Sequence, residues 1–360
     1  MGYTERLELI KEIETQRSSK VICYLTSIRP GLNGQMGEDA VRVFFDHLQY
    51  LPTVPVDKLD IFLCSNGGNA VVPWRLMSLF REFATSVAVL IPFRAYSAAT
   101  MMALGANEIV MHPFAEMGPI DPTVSNEFNP IDPLTHQKQG ISVEDVKAYI
   151  SFIKDTIGIR HEDELIRAVE ILASNVHPLA LGNVERFLSQ NRMIARKLLE
   201  MHTVEDNKHK LPEIIETLTS KLYFHGHPIN RLEAQRELGL QVTPNLPPSL
   251  ETAMWKLYLD FEAELENATM FDPMSAIFAA APPPAVITTP GMPSMIPNGT
   301  SAQFDLKLAI VESARISSVL DTTRRYVVAA SGPNGEPMVR QEMLSAGWNH
   351  QQAPVQNPAP

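Results

Sequence analysis

Apolar positions along the first 120 residues alternate between two spacings. Residues 20–26 (KVICYLT), 59–64 (LDIFLC), 86–91 (SVAVLI) and 108–112 (EIVMH) are short, nearly continuous apolar runs. Such runs predict strands covered on both faces. Between them, residues 38–49 carry Val41, Val43, Phe44, Phe45 and Leu48, and residues 69–84 carry Val72, Leu76, Leu79 and Phe80. That spacing predicts amphipathic helices. A short helix is predicted over 97–104, and residues 5–14 are charged and helical in pattern. Strands alternating with helices predict parallel strands in a layered α/β fold.

The pattern then changes. Residues 118–142 are rich in Pro, Asp, Asn and Gln and predict a long loop. Helices are predicted over 143–156, 164–174, 183–200 and 211–219, with Asn183 as a candidate cap. Prolines 282, 283, 284, 290, 293 and 297 mark a linker at about 281–300. Beyond it, 304–320 and 325–330 predict a further small structured element. The expected organisation is an N-terminal helix (1–19), a core with a helical extension (20–245), a C-terminal extension (246–345) and a disordered tail (346–360).

Composition narrows the function classes. The chain has 360 residues, 45% of them hydrophobic and 20% charged, with a formal net charge of -11. No block of Lys and Arg stands out, which argues against nucleic-acid binding. Cys23 and Cys64 lie inside apolar strand-like runs and suit buried reduced thiols. The first residues lack the pattern of a secretory signal, and the apolar region 86–111 is broken by Pro92, Arg94, Asn107 and Glu108. The expectation is a soluble, cytoplasmic protein with no integral membrane segment.

Two turns carry candidate chemistry. Asn66-Gly67-Gly68 ends the strand at 59–64 and precedes a helix. Glycines there let backbone N–H groups face open space, where negative charge is stabilised; an ordinary turn is the plain alternative. Ser97, in Ala95-Tyr96-Ser97-Ala98-Ala99, sits at a second strand-to-helix turn among small residues. It suits either a helix cap or a nucleophile with backbone donors aimed at an oxyanion.

Taken in order, N-G-G, A-Y-S-A-A and M-G-P-I-D-P (residues 117–122) resemble the Clp protease/crotonase fold, and more narrowly the serine dehydrogenase proteinase family, a relative of signal peptide peptidase A. The resemblance implies an α/β core of repeated ββα units with helical and C-terminal extensions. It implies an ATP-independent serine peptidase that cleaves polypeptides as a homo-oligomer and needs no metal or organic cofactor. Ser97 would be the nucleophile, and Gly68 and Ala98 would supply oxyanion-hole N–H groups. Gly67 would shape the loop, and Met117, Gly118 and Pro119 would edge a groove for an extended peptide.

The base is left open. The Clp protease histidine corresponds here to Ile120 or Asp121, so the resemblance favours a Ser-Lys site with Lys138 or Lys147. A lysine base needs a lowered pKa, hence burial. His225, His227 and Asp121 stand as possible base or orienting groups. Two other functions use the same scaffold: a degenerate peptidase that binds peptides or partners, and a crotonase-like enzyme acting on an acyl thioester.

Overall fold

The computed structural model describes residues 2–121, 123–124, 127–131, 138, 140–222, 226–280, 297–329 and 338–353. The four expected strands form as β1 (Lys20–Thr26), β2 (Val56–Cys64), β3 (Ala84–Ile91) and β4 (Glu108–Met111), parallel and in that spatial order. Side chains along a strand alternate between its faces. Ile22, Tyr24, Ile61, Leu63, Val87 and Val89 therefore enter one core, while Val21, Cys23, Leu25, Phe62, Ala88 and Leu90 enter another. Both faces are covered, which is why the runs read as unbroken apolar sequence. Cys23 and Cys64 are unpaired and fully buried, and burial pushes both thiols up, Cys64 to about 12.

One face is covered by α2 (Asp39–Leu48), α3 (Val71–Phe83) and α4 (Ala98–Leu104). On the other, α1 (Tyr3–Arg17) buries Ile10 and Ile13. A ββα step is visible in the chain order β3, the short strand Arg94–Ala95, then α4. The fold is thus the expected mixed α/β class.

The helical region contains α5 (Val143–Ser151), α6 (Glu162–Asn175), α7 (Pro178–Glu200), α8 (Leu211–Glu216) and α9 (Arg231–Arg236). The helix predicted over 143–156 passes into a π-helical turn at Phe152–Thr156. The long α7 starts earlier than predicted. Its cap is His177, whose Nδ1 accepts from the Leu179 N–H at 3.2 Å, with Pro178 as the first helical residue. Asn183 lies inside the helix and is not its cap.

Residues 248–264, to which the sequence reading assigned no element, form α10 (Pro248–Glu264), packed beside α1; α11 (Pro273–Ala280) follows. The small element expected after the linker is three long strands, β5 (Ser301–Ser313), β6 (Ile316–Ala329) and β7 (Met338–Gln352). They extend the central sheet in the order β7-β6-β5-β1-β2-β3-β4, with β5 antiparallel to β1. Residues 346–352, expected in the tail, pair with Thr322 back to Ile316.

A buried ion cluster fastens these parts. The Arg6 guanidinium bonds both oxygens of Glu312 at 2.8 Å and Asp260 at 2.9 Å, joining α1, β5 and α10. Among the described residues, no helix is long and apolar enough to cross a membrane.

Candidate active site

The end of β2 turns sharply under the start of α4. Ser65 donates its N–H to the Arg94 carbonyl and accepts at its own carbonyl from the Tyr96 N–H, both at 2.9 Å. Next, Gly67 has φ +98° and Gly68 φ +152°, backbone conformations that side chains other than hydrogen rarely adopt. The Gly67 N–H donates to Ser65 Oγ at 3.0 Å, and the Gly67 carbonyl accepts from the Met36 N–H at 2.8 Å. A Cβ on Gly68 would come within 2.5 Å of Met36 N. Glycine is therefore required twice, once for dihedral and once for space.

Ser97 sits at the N-cap position of α4, with φ 53° and ψ -116°, and its side chain makes no capping hydrogen bond. The plain cap reading of this serine is not what the structure shows. Positive φ at a residue other than glycine costs about 1–3 kcal/mol and persists only where its surroundings enforce it. Ser97 is half-buried, and among the described residues its Oγ has no hydrogen-bond partner. Neither the Gly68 N–H nor the Ala98 N–H has an assigned acceptor among the described residues.

Neighbours hold the strained turn. Tyr96 Oη donates to Glu116 Oε1 at 2.7 Å, and Arg94 Nε donates to the same oxygen at 3.0 Å. Burial, then the bond to Glu116, pushes the Tyr96 phenol up to about 12, so it remains a neutral donor. Thr100 Oγ1 lies 2.7 Å from the Ala95 carbonyl and 2.8 Å from the Gly118 carbonyl, and accepts from the Gly118 N–H at 3.2 Å. It stitches the Ser97 turn to the segment 116–118. Sequence reasoning missed Tyr96, Glu116 and Thr100 as supports. The signal available was a threonine inside an otherwise apolar helix.

Met117, Gly118 and Pro119 are all buried. The short strand Glu116–Met117 is paired on both sides, with Arg94–Ala95 and with Ile229–Asn230, and the Tyr96 ring lies over Gly118. The Ile120 N–H donates to the Leu218 carbonyl at 2.9 Å, and its carbonyl accepts from Asn191 Nδ2 at 2.7 Å. These contacts engage Met117 and Ile120 on the described residues.

Among the described residues, none of the base candidates is hydrogen-bonded to Ser97. Lys147, half-buried on α5, donates from Nζ to Ser220 Oγ at 2.6 Å. Ser220 Oγ also accepts from Arg192 at 3.2 Å. Lys138 is exposed and pairs through its backbone with Ile131. His227 Nε2 lies 2.7 Å from Glu233 Oε1. Asp121 is 3% exposed. His225 falls outside the described residues. Among the described residues, no group of His, Cys, Asp and Glu is arranged to hold a metal ion.

Residues 2–157 match the family described as ClpP-like SDH-type serine proteinase. Two uncharacterized proteins of Methanocaldococcus jannaschii are similar: MJ1495 is 27% identical over 68% of this chain and 73% of its own, and MJ0137 is 23% identical over 69% and 77%. Among solved structures, a mutant of the 1510-N membrane-bound stomatin-specific protease with a substrate peptide is 15% identical over 62% of this chain and 75% of that one, with a TM-score of 0.35. ClpP1 from Listeria monocytogenes is 12% identical over 66% and 95%, with a TM-score of 0.34.

Proposed function

We infer that this chain, whose residues 2–157 are similar to the ClpP-like SDH-type serine proteinases, is a serine peptidase with Ser97 as its nucleophile. The observation that carries the reading is the Ser97 turn: positive φ, an uncapped and half-exposed hydroxyl, and a glycine turn packed against it. A group that only capped a helix would not need strained backbone.

In the proposed reaction, Ser97 Oγ attacks the carbonyl carbon of a polypeptide bond, and its proton passes to a base. The N–H groups of Gly68 and Ala98 stabilise the oxyanion. The base returns a proton to the leaving amine, and water then hydrolyses the acyl-enzyme. The base is a lysine, Lys147 or Lys138, with His227, His225 and Asp121 as alternative base or orienting groups. Lys147 is the better buried of the two lysines. Rearrangement of the surrounding segments, or contact between subunits of a homo-oligomer, would bring it to Ser97. The reading requires neither ATP nor a metal or organic cofactor, and it places the protein in the cytoplasm.

A second reading is favoured by one observation: no described base candidate is hydrogen-bonded to Ser97. On that reading the chain binds a peptide or partner without cleaving it. A crotonase-like acyl-thioester enzyme would use the Gly68 and Ala98 donors without Ser97.

The test is intact-mass spectrometry after incubation with a fluorophosphonate. One adduct on the wild type, absent from Ser97→Ala, supports the peptidase. Loss of the adduct in Lys147→Met or Lys138→Met then assigns the base. No adduct on folded wild type sinks the peptidase reading in favour of binding.

A further inference from the structure

We propose that two copies of this chain associate through the outer edge of β7, antiparallel and centred on Gln341. The inference is independent of the peptidase reading. β7 ends the central sheet. Its inner edge pairs with β6 from Met338↔Ala329 to Gln352↔Ile316, and among the described residues nothing pairs with its outer edge. A row of backbone N–H and C=O groups is thereby left open, a template for another strand.

Protein edges are usually blunted by proline, lysine, short length or a bulge. Over its 15 residues β7 has no proline and no lysine, and Arg340 and Glu342 are its only Arg, Asp or Glu residues. One bulge is present: Thr323 faces Ser345 while Arg324 faces Met343, which leaves Leu344 as the extra residue. The regular stretch is therefore 338–343.

That stretch is self-complementary. With a two-fold axis at Gln341, Val339 faces Met343 and Arg340 faces Glu342, and each pair occurs twice, as a closed dimer requires. Alternation puts Val339, Gln341 and Met343 on one face, and Arg340 and Glu342 on the other. Opposite charges directly across a ladder favour pairing, and like charges oppose it. Moving the axis to Glu342 sets Arg340 against Leu344 and Gln341 against Met343, losing both charge pairs, so the register is specified. The Arg340 side chain is 69% exposed and Met343 60% exposed. Within one chain Arg340 already bonds Glu342, and Glu342 also bonds Arg325; pairing across the axis would give Arg340 the Glu342 of the second copy as a further partner and would cover apolar surface.

The test is site-directed cross-linking of the full chain. The native thiols are buried, so an introduced surface cysteine is the accessible one. Gln341→Cys places two cysteines opposite each other across the axis, within reach of a disulfide or a short bis-maleimide. In Ser345→Cys the two thiols are eight residues apart along the ladder, about 26 Å, and should not link. Arg340→Glu should weaken dimerisation at least about tenfold, and Arg340→Glu with Glu342→Arg should restore it once Arg325→Glu is added to keep the pair with β6. Circular dichroism checks that each variant is folded. Sedimentation showing a monomer at every concentration overturns the proposal. So does a dimer in which Gln341→Cys links no better than Ser345→Cys.

Discussion

A Cβ placed on Gly67 would lie 2.8 Å from the Cβ of Ser97 and 2.9 Å from the Ala98 nitrogen. Two turns far apart in sequence are thus a single contact. The glycine is as much a part of the serine's setting as the helix that follows.

Gly67→Ala should therefore be damaging, because the new methyl meets the backbone oxygen of Tyr96 at 2.6 Å and the site has φ +98°. The expected cost is about 1–3 kcal/mol in urea unfolding, with loss of fluorophosphonate labelling. Gly182→Ala is the contrast. It lies on α7 with nothing within 4 Å of an added Cβ, and should stabilise by about 0.5–1 kcal/mol.

Ser97→Gly and Ser97→Ala should separate strain from chemistry. Both remove the hydroxyl, but only glycine accepts φ 53° without cost. Ser97→Gly should be the more stable of the two by about 1 kcal/mol. Equal melting temperatures would argue against a strained turn.

Thr100→Val keeps the shape of the side chain and removes the hydroxyl that serves Ala95 and Gly118. Buried polar groups left without partners cost about 1–3 kcal/mol. The expected result is a loss of that size. A neutral outcome would remove Thr100 as the stitch between the two segments.

His47 should make the fold acid-sensitive. Burial, with a smaller effect from His350, lowers its pKa to about 3. Its ring bonds Ser313 Oγ at 3.1 Å and Ser318 Oγ at 2.9 Å. The unfolded chain takes up a proton below about pH 6.5, whereas the folded chain resists until about pH 3. The contribution is full above about pH 6.5 and falls as pH drops toward about 3, by at most about 1.4 kcal/mol per unit. His47→Asn should be less stable at about pH 7 and should show a shallower decline between about pH 6.5 and 4. An unchanged slope would exclude His47 as the source.

The parallel half of the sheet was readable because β1 to β4 bury both faces, and such strands have little room for polar residues. The Ser97 turn was readable for a related reason: few places in a chain gather so many small residues around one hydroxyl. The antiparallel half was hidden. β5 and β6 bury Glu312, Ser317, Ser318 and Thr322, which look like surface residues in sequence. Partners from elsewhere satisfy several of them, as Arg6 does Glu312 and His47 does Ser318. The surroundings of Lys147 were hidden too. Nothing local to Lys147 signals that its amine meets Ser220, which lies on another helical turn.

The position of β5 beside β1 bears on biosynthesis. A ribosome has released β1 to β4 and their helices long before residues 301–313 emerge. Until they do, β1 is an open edge, and Arg6 lacks its carboxylate partner on Glu312. The open edge of β1 is therefore covered by a segment made long after it, and chains truncated before residue 301 should depend on chaperones or aggregate.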